Sequence, residues 1–375
     1  MSVLARLLAC CCFALVSSLC LAAEPATPDK APSPAQPTSS SAGRIPSFAE
    51  LEAAGAVIGE VRIDARDIFD LSDEKENGLF YRAANALHIR TREWVVRRQL
   101  LFKPGEPVSV RLIEETERLM MSSRIFYDVT ITPVAYRDGV VDIEVRTRDN
   151  WTLHPGGGAS RAGGVNRSET GLLDRNFLGT GILFGTSRFR DADRSGTEYH
   201  FSAPNLLDGW TTITYSHSQL SDGESLATSI VRPFYALDAR WAAGVTRAKD
   251  TRIESLFSNG EKVAQYRHEQ EKTEAFGGWS GGLVNGWTHR YSTGFSYQKD
   301  NYRPEPGLAL PAPASLPPDE TLAAPFFRYE LAHDDFEKVK NRDLIERPEY
   351  FAMGTQASVQ LGRALTTLGS TQDLW

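Results

Sequence analysis

Gly278-Trp279-Ser280-Gly281-Gly282 fits the pattern Gly-x-Ser-x-Gly, in which a sharp strand-to-helix turn lifts a serine into place as a nucleophile. That chemistry needs a helix behind the serine to supply oxyanion donors. Here Leu283 to Trp287 run directly into an alternating segment at Tyr291, so a glycine-rich strand end and turn is the preferred reading. Gly179-Thr180-Gly181-Ile182-Leu183-Phe184-Gly185 has glycines of the kind that wrap phosphate, but the spacing departs from the dinucleotide pattern and a strand follows. His333-Asp334-Asp335 carries metal-ligand types, yet successive strand residues point to opposite faces, which favours a solvated strand end. The four cysteines, Cys10, Cys11, Cys12 and Cys20, all lie within the first 23 residues. The rest of the chain therefore has no disulfide and no thiolate metal site. No catalytic set, metal site or cofactor site is expected, and the protein is expected not to be an enzyme.

The compartment follows from the N-terminus. Residues 1–23 combine an early Arg6, an apolar stretch from Leu7 to Leu21 and a small-residue end, Ala22-Ala23, which reads as a secretory signal peptide. Lipidation at Cys20 is disfavoured by the bulky Leu19 before it. Residues 24–46, rich in Pro, Ala and Ser, form an expected disordered tether. No later apolar run is long enough for a spanning helix, so membrane insertion would have to use strands. The net charge of −7 and the lack of a basic block argue against nucleic acid.

From about Asn150 onward, large apolar side chains alternate with small or polar ones, the period of a β-strand. Between Tyr350 and Gly362, Phe351, Met353, Thr355, Ala357, Val359 and Leu361 share one face. Tyr199 and Phe201 alternate with Glu198, His200 and Ser202; Tyr291, Phe295 and Tyr297 alternate with Arg290, Ser292 and Ser296. The apolar face is aromatic-rich rather than Val-, Ile- and Leu-rich, the composition of a barrel with lipid outside and a polar interior. About eleven such segments are expected, ending near Gly362. Trp151, Trp210, Trp241 and Trp287, at or near strand ends, are expected in an interfacial girdle.

Residues 47–148 read as a short helix followed by a small α/β module. Ser47 and Glu50 form a capping box and Gly55 a stop. Val57–Ile63 is strand-like, and Thr91 is expected to cap a helix from Arg92 to about Leu101. Ser109 caps a second helix with Leu112, Ile113, Thr116, Leu119 and Met120 on one face. Two alternating strands then flank the Arg137-Asp138-Gly139 turn. The order is β-α-α-β-β, with an insertion of about 25 residues after the first strand.

This order, with Leu101-Phe102-Lys103-Pro104-Gly105-Glu106-Pro107, Arg118-Leu119 and Phe126-Tyr127-Asp128-Val129, resembles a POTRA domain. Downstream, Asp174-Arg175-Asn176-Phe177-Leu178-Gly179-Thr180-Gly181 resembles the early-barrel signature of the BamA/TamA superfamily, the bacterial surface antigen family. The family-motif residues carried over are Phe102, Pro104, Gly105, Asn176, Phe177, Leu178, Gly179 and Gly181. The resemblance implies a periplasmic POTRA module (β-α-α-β-β) followed by an antiparallel transmembrane β-barrel over residues 149–375. Family barrels have about sixteen strands, and the family's Arg-Gly-Phe/Tyr loop has no match, so the barrel is expected to be incomplete in this chain.

The function so implied is insertion, assembly or translocation of proteins, or export of lipid, at the bacterial outer membrane. The partners would be outer-membrane lipid, unfolded outer-membrane or secreted clients, and periplasmic accessory proteins. Phe126, Tyr127, Asp128, Val129, Thr130, Ile131 and Thr132 are the expected client-binding edge strand, since Asp128, Thr130 and Thr132 leave one face wettable. The alternative is that this edge packs on the next domain. The glycine-rich segment near Trp151–Ser160 is the expected weak seam strand. A two-partner-secretion translocator and a passive porin or structural surface antigen are the competing functions.

Overall fold

The computed structural model describes residues 44–375 apart from 163–164, 192–193 and 343–346. The expected signal peptide and nearly all of the tether lie outside the described residues. Residues 45–375 form one compact unit.

Helix α1, Phe48–Ala53, begins with the capping box: Ser47 Oγ accepts from Glu50 N, and Glu50 takes the Ser47 N–H at 2.7 Å. Gly55 follows with φ +67°, a conformation that favours glycine at a helix stop. Strand β1 is Val57–Arg66, helix α2 Leu79–Leu87, helix α3 Glu93–Arg97 and helix α4 Val110–Ser122. Strands β2, Phe126–Arg137, and β3, Val140–Asp149, are joined by Asp138 (φ 51°) and Gly139 (φ 81°), the expected tight hairpin turn. The sheet order is β1-β3-β2, with β1 parallel and β2 antiparallel to the central β3. Ile58, Val129, Val141, Ile143 and Val145 pack with Val96 of α3 and Ile113 and Met120 of α4 into one apolar core. Burying each such side chain stabilises the fold by roughly 1.5–3 kcal/mol before entropy is counted.

The expected helix from Arg92 to Leu101 is shorter than its apolar content suggested. Only Glu93–Arg97 is helical, Arg92 occupies the cap, and no side chain caps it. Thr91 is drawn instead into bonds with the large sheet, described below. Ser109 stands at the N-cap of α4, but its side chain makes no capping bond. Helix α2, inside the insertion, was not expected.

The second sheet has eleven strands, in agreement with the number of alternating segments. The first ten are β4 Leu153–Ala162, β5 Val165–Phe177, β6 Ile182–Arg190, β7 Ser195–Leu206, β8 Thr211–Leu220, β9 Gly223–Arg232, β10 Trp241–Ser258, β11 Glu261–Val284, β12 Trp287–Arg303 and β13 Glu320–His333. A separate hairpin, β14 Phe336–Lys340 with β15 Pro348–Ala352, precedes β16 Gln356–Gly362, which returns to β13. Every neighbouring pair in the large sheet is antiparallel, and β4 and β16 are its two edges.

Tyr350–Gly362 is thus two strands, not one. The chain leaves the hairpin at Met353 and Gly354, whose N–H groups both donate to Asp335 O at 2.9 and 3.1 Å. A Cβ on Gly354 would lie 2.8 Å from His333 Nδ1, so the close crossing needs glycine. Alternation continued through the break because both strands happen to keep the same parity.

Cross-strand register gathers the outward apolar residues into rows. Trp241, Trp279, Tyr291, Tyr329 and Val359 face one another in turn across β10, β11, β12, β13 and β16. Ile230, Val245, Ala275, Phe295 and Pro325 form a second row, and Phe184, Phe201 and Tyr215 a third. Trp279 is 62% exposed and Ile230 54%, so these rows are not a protein interior. The opposite face is polar and closed in: His268 Nε2 bonds Asp300 at 2.8 Å, and Ser292 is buried. Beyond these rows Arg247 pairs with Glu271 on the outward face; within them, an apolar outer face over a polar inner one is the arrangement of a transmembrane strand wall. No helix among the described residues is long and apolar enough to cross a membrane.

Candidate functional site

The site is a joint between the two sheets, with the strand edges it holds in place. At its centre is Asn176, 3% exposed, at the end of β5. Its Nδ2 donates to Thr91 Oγ1 at 2.7 Å, and its Oδ1 accepts from Gly181 N at 2.7 Å. Thr91 N in turn donates to Asp149 Oδ2 at 2.7 Å, which also bonds His88 Nε2 at 2.8 Å. Asp174 Oδ1 accepts from Asn176 N and from Thr152 Oγ1, each at 2.9 Å. The last residue of the module sheet and the β5–β6 turn of the large sheet are therefore tied through one polar cluster.

The turn can reach this far because of its backbone. Leu178, Gly179 and Gly181 have φ of 56°, 69° and 71°. Gly179 O accepts from Arg92 N at 2.9 Å, and a Cβ on Gly179 would lie 2.2 Å from Arg90 O. Only glycine permits that approach. Phe177 and Leu178 in the same turn stay exposed, beside the outward face. The motif residues Asn176, Gly179 and Gly181 are therefore the joint itself.

A second tie lies under the turn between β9 and β10. Glu115 of α4, 2% exposed, accepts from Leu237 N at 2.8 Å and pairs with Arg111 Nη1 at 3.0 Å. Arg118 is 3.6 Å away. Burial pushes the Glu115 carboxyl above and the Arg118 guanidinium below their ordinary values, against their mutual attraction. Arg111 also pairs with Asp238 in the same turn. The β14–β15 hairpin makes a third tie: Lys338 pairs with Glu117, the Arg118 guanidinium lies 3.6 Å over the Phe336 ring, and Arg347 donates to Met121 O at 3.1 Å. Burial, and then the neighbouring Glu117 carboxylate, push the Tyr350 phenol up to about 12. Nothing in the alternation pattern marked this hairpin.

Of the module's two sheet edges, one is covered. Gly105 N donates to Ile58 O at 2.8 Å, Ile58 N to Glu106 O and Val108 N to Ala56 O at 2.9 Å, so the Phe102–Pro107 segment lies along β1. Phe102 anchors it, 3% exposed, and Gly105 turns it at φ 87°. Among the described residues, β2 pairs only with β3. Phe126, Val129 and Ile131 are buried; Tyr127, Asp128 and Thr130 are half-buried and Thr132 is exposed. The ladder shifts register between Phe126 and Asp128 and again between Pro133, which has no N–H, and Ala135, so the regular stretch within the expected edge is Asp128 to Pro133.

The second open edge is β4, displaced by two residues from the expected Trp151–Ser160. Gly156, Gly157 and Gly158 face no neighbour that a Cβ would strike closer than 3.9 Å. Their glycines are thus not forced by packing; they keep the strand weak.

The serine of Gly278–Gly282 is fully buried, donates to His289 O at 2.9 Å and accepts from Gly282 N at 3.0 Å. It sits in a strand irregularity between Ser280 and Leu283, with a carbonyl where a nucleophile would need a base. The His333 ring lies 4.4 Å from that of Trp287, tilted by 32°, Asp334 N bonds Gly286 O, and Asp335 O anchors the hairpin exit, so this trio shapes a turn. Trp241 joins the outward rows as expected, whereas Trp210 lies against Tyr235, ring centroids 4.0 Å apart, in the wall of a cavity rather than in a girdle.

No family model and no curated protein matches the chain. Among solved structures it is similar to BamA from Haemophilus ducreyi lacking POTRA domains 1-3, at 11% identity and TM-score 0.38, over 82% of this chain and 71% of that one. It is also similar to CdiB from Acinetobacter baumannii (12%, TM-score 0.34, 83% and 68%) and CdiB from Escherichia coli (10%, TM-score 0.36, 83% and 61%).

Proposed function

We propose that this is a non-enzymatic outer-membrane protein of the BamA/TamA type. Its POTRA-like module stands in the periplasm and its large sheet is a barrel wall facing lipid. It assists insertion, assembly or translocation of extended polypeptides. The observation that carries this reading is the pairing of two open strand edges, β2 and β4, on one unit fixed by the Asn176–Thr91 joint. An extended client adds to β2 by backbone hydrogen bonds, and β4, weakened by glycine, is where a client strand leaves the wall for lipid. Such work breaks no covalent bond and needs no cofactor. Outer-membrane lipid and unfolded clients are its partners, with periplasmic accessory proteins delivering them.

Depletion followed by a census of outer-membrane proteins, lipids and secreted proteins tests it. Loss of many barrel proteins, or of lipid, supports the reading. Loss of one secreted protein alone would make it a two-partner-secretion translocator, and changed solute permeability alone would make it a porin.

A further inference from the structure

A cavity of about 320 Å³ lies between the module and the first turns of the large sheet. Its walls include Trp94, Leu119 and Ile125 from the module and Leu183, Trp210 and Tyr235 from the sheet. Trp210 and Tyr235 stack face to face with their rings only 5° from parallel, and the Arg232 guanidinium lies 4.8 Å from the Tyr235 ring centre, so the pair is a rigid aromatic part of the wall. Arg175, from the same segment as Asn176, is its one charged lining residue among those described. No carboxylate pairs with Arg175 there, and the charge that acts on it is another cation, Arg124. A ring-lined cavity of this size, with polar groups such as Gln99, Ser122 and Asn205 in its wall and one half-buried guanidinium that no carboxylate pairs, fits a ligand with an apolar body and a single anionic group.

We propose that this cavity binds a small amphipathic anion, a planar apolar body bearing one carboxylate. The body packs against Trp210 and Trp94, and the carboxylate takes the guanidinium's paired N–H donors. A neutral ligand of the same shape would leave the half-buried Arg175 unmatched, and a cation would add to the repulsion from Arg124.

The test is calorimetric titration of the full chain in non-ionic detergent with three probes: indole-3-propionate, its amide, and tryptamine. Binding of the propionate should saturate and be at least about tenfold tighter than that of the amide, the scale of one charge-assisted bond, with tryptamine weaker still. Arg175→Met keeps the aliphatic stem and should bring propionate and amide to the same affinity. Arg175→Gln serves as the second variant should the first fail to fold. Equal binding of propionate and amide to the unaltered protein, or no saturable binding of the propionate, overturns the proposal. So does propionate affinity that either folded variant leaves unchanged.

Discussion

Asn176 and Thr91, 85 residues apart in sequence, meet through a 2.7 Å hydrogen bond buried where the module sheet ends and the large sheet begins. Asn176 uses both ends of its amide, holding the module with its nitrogen and the Gly181 N–H of its own turn with its oxygen. Replacing it strands buried polar groups on both sides, and each such group costs roughly 1–3 kcal/mol. Asn176→Ala is therefore expected to loosen the module from the sheet by about 2 kcal/mol or more. Hydrogen exchange should show faster opening at Thr91, Arg92 and Gly181, with protection in the centre of β3 unchanged.

Gly179 tests the same joint by sterics. Gly179→Ala adds a Cβ 2.2 Å from Arg90 O at a φ of +69°, so the turn must withdraw from the module. Gly105→Ala shares the positive φ but meets nothing within 4 Å. The first variant should cut client assembly and speed proteolysis near Arg90; the second should show only a loss of about 1 kcal/mol in thermal stability.

The β4 seam makes the opposite demand. Gly158→Val puts a β-branched side chain into open space, so it should strengthen the strand by about 0.5–1 kcal/mol and leave the fold intact. If β4 must yield during function, this more stable variant should assemble clients more slowly. Unchanged assembly kinetics would remove β4 from the mechanism.

The edge at β2 predicts where clients touch. Photo-crosslinkers placed at Asp128, Thr130 and Thr132 should capture unfolded client chains, whereas one at Glu106, on the covered β1 side, should not. Capture at both edges, or at neither, would contradict client addition to β2.

The hairpin supplies a pH signature. The Tyr350 phenol is held protonated up to about 12, against 10.0 in the unfolded chain. Between those values the unfolded state loses its proton first, so Tyr350's contribution is complete below pH 10.0 and is lost as pH rises toward 12. Thermal midpoints of the unaltered protein should fall more steeply over that window than those of Tyr350→Phe.

Strand number and facing were legible because period two is imposed by local geometry at every residue. Asn176 and Gly179 were visible as a motif, but their role depends on Thr91 and Arg90, which only tertiary contact brings near. Thr91 looked like a helix cap for the same reason: its hydroxyl is a good capping group, and a buried amide claimed it. Helix α2 went unseen because it sits inside an insertion, has Gly78 rather than a capping side chain at its start, and leaves Leu79, Phe80 and Leu87 exposed. Trp210 shows the limit of reading girdles from position, since a tryptophan at a strand end can turn toward lipid or into the mouth of the sheet.

Trp279 offers the most direct test of the whole account. In a variant keeping Trp279 alone, reconstituted in bilayers with brominated acyl chains, its fluorescence should be strongly quenched and aqueous acrylamide should have little effect. Quenching by acrylamide without quenching by the brominated lipid would place that face in water or protein and contradict a membrane wall.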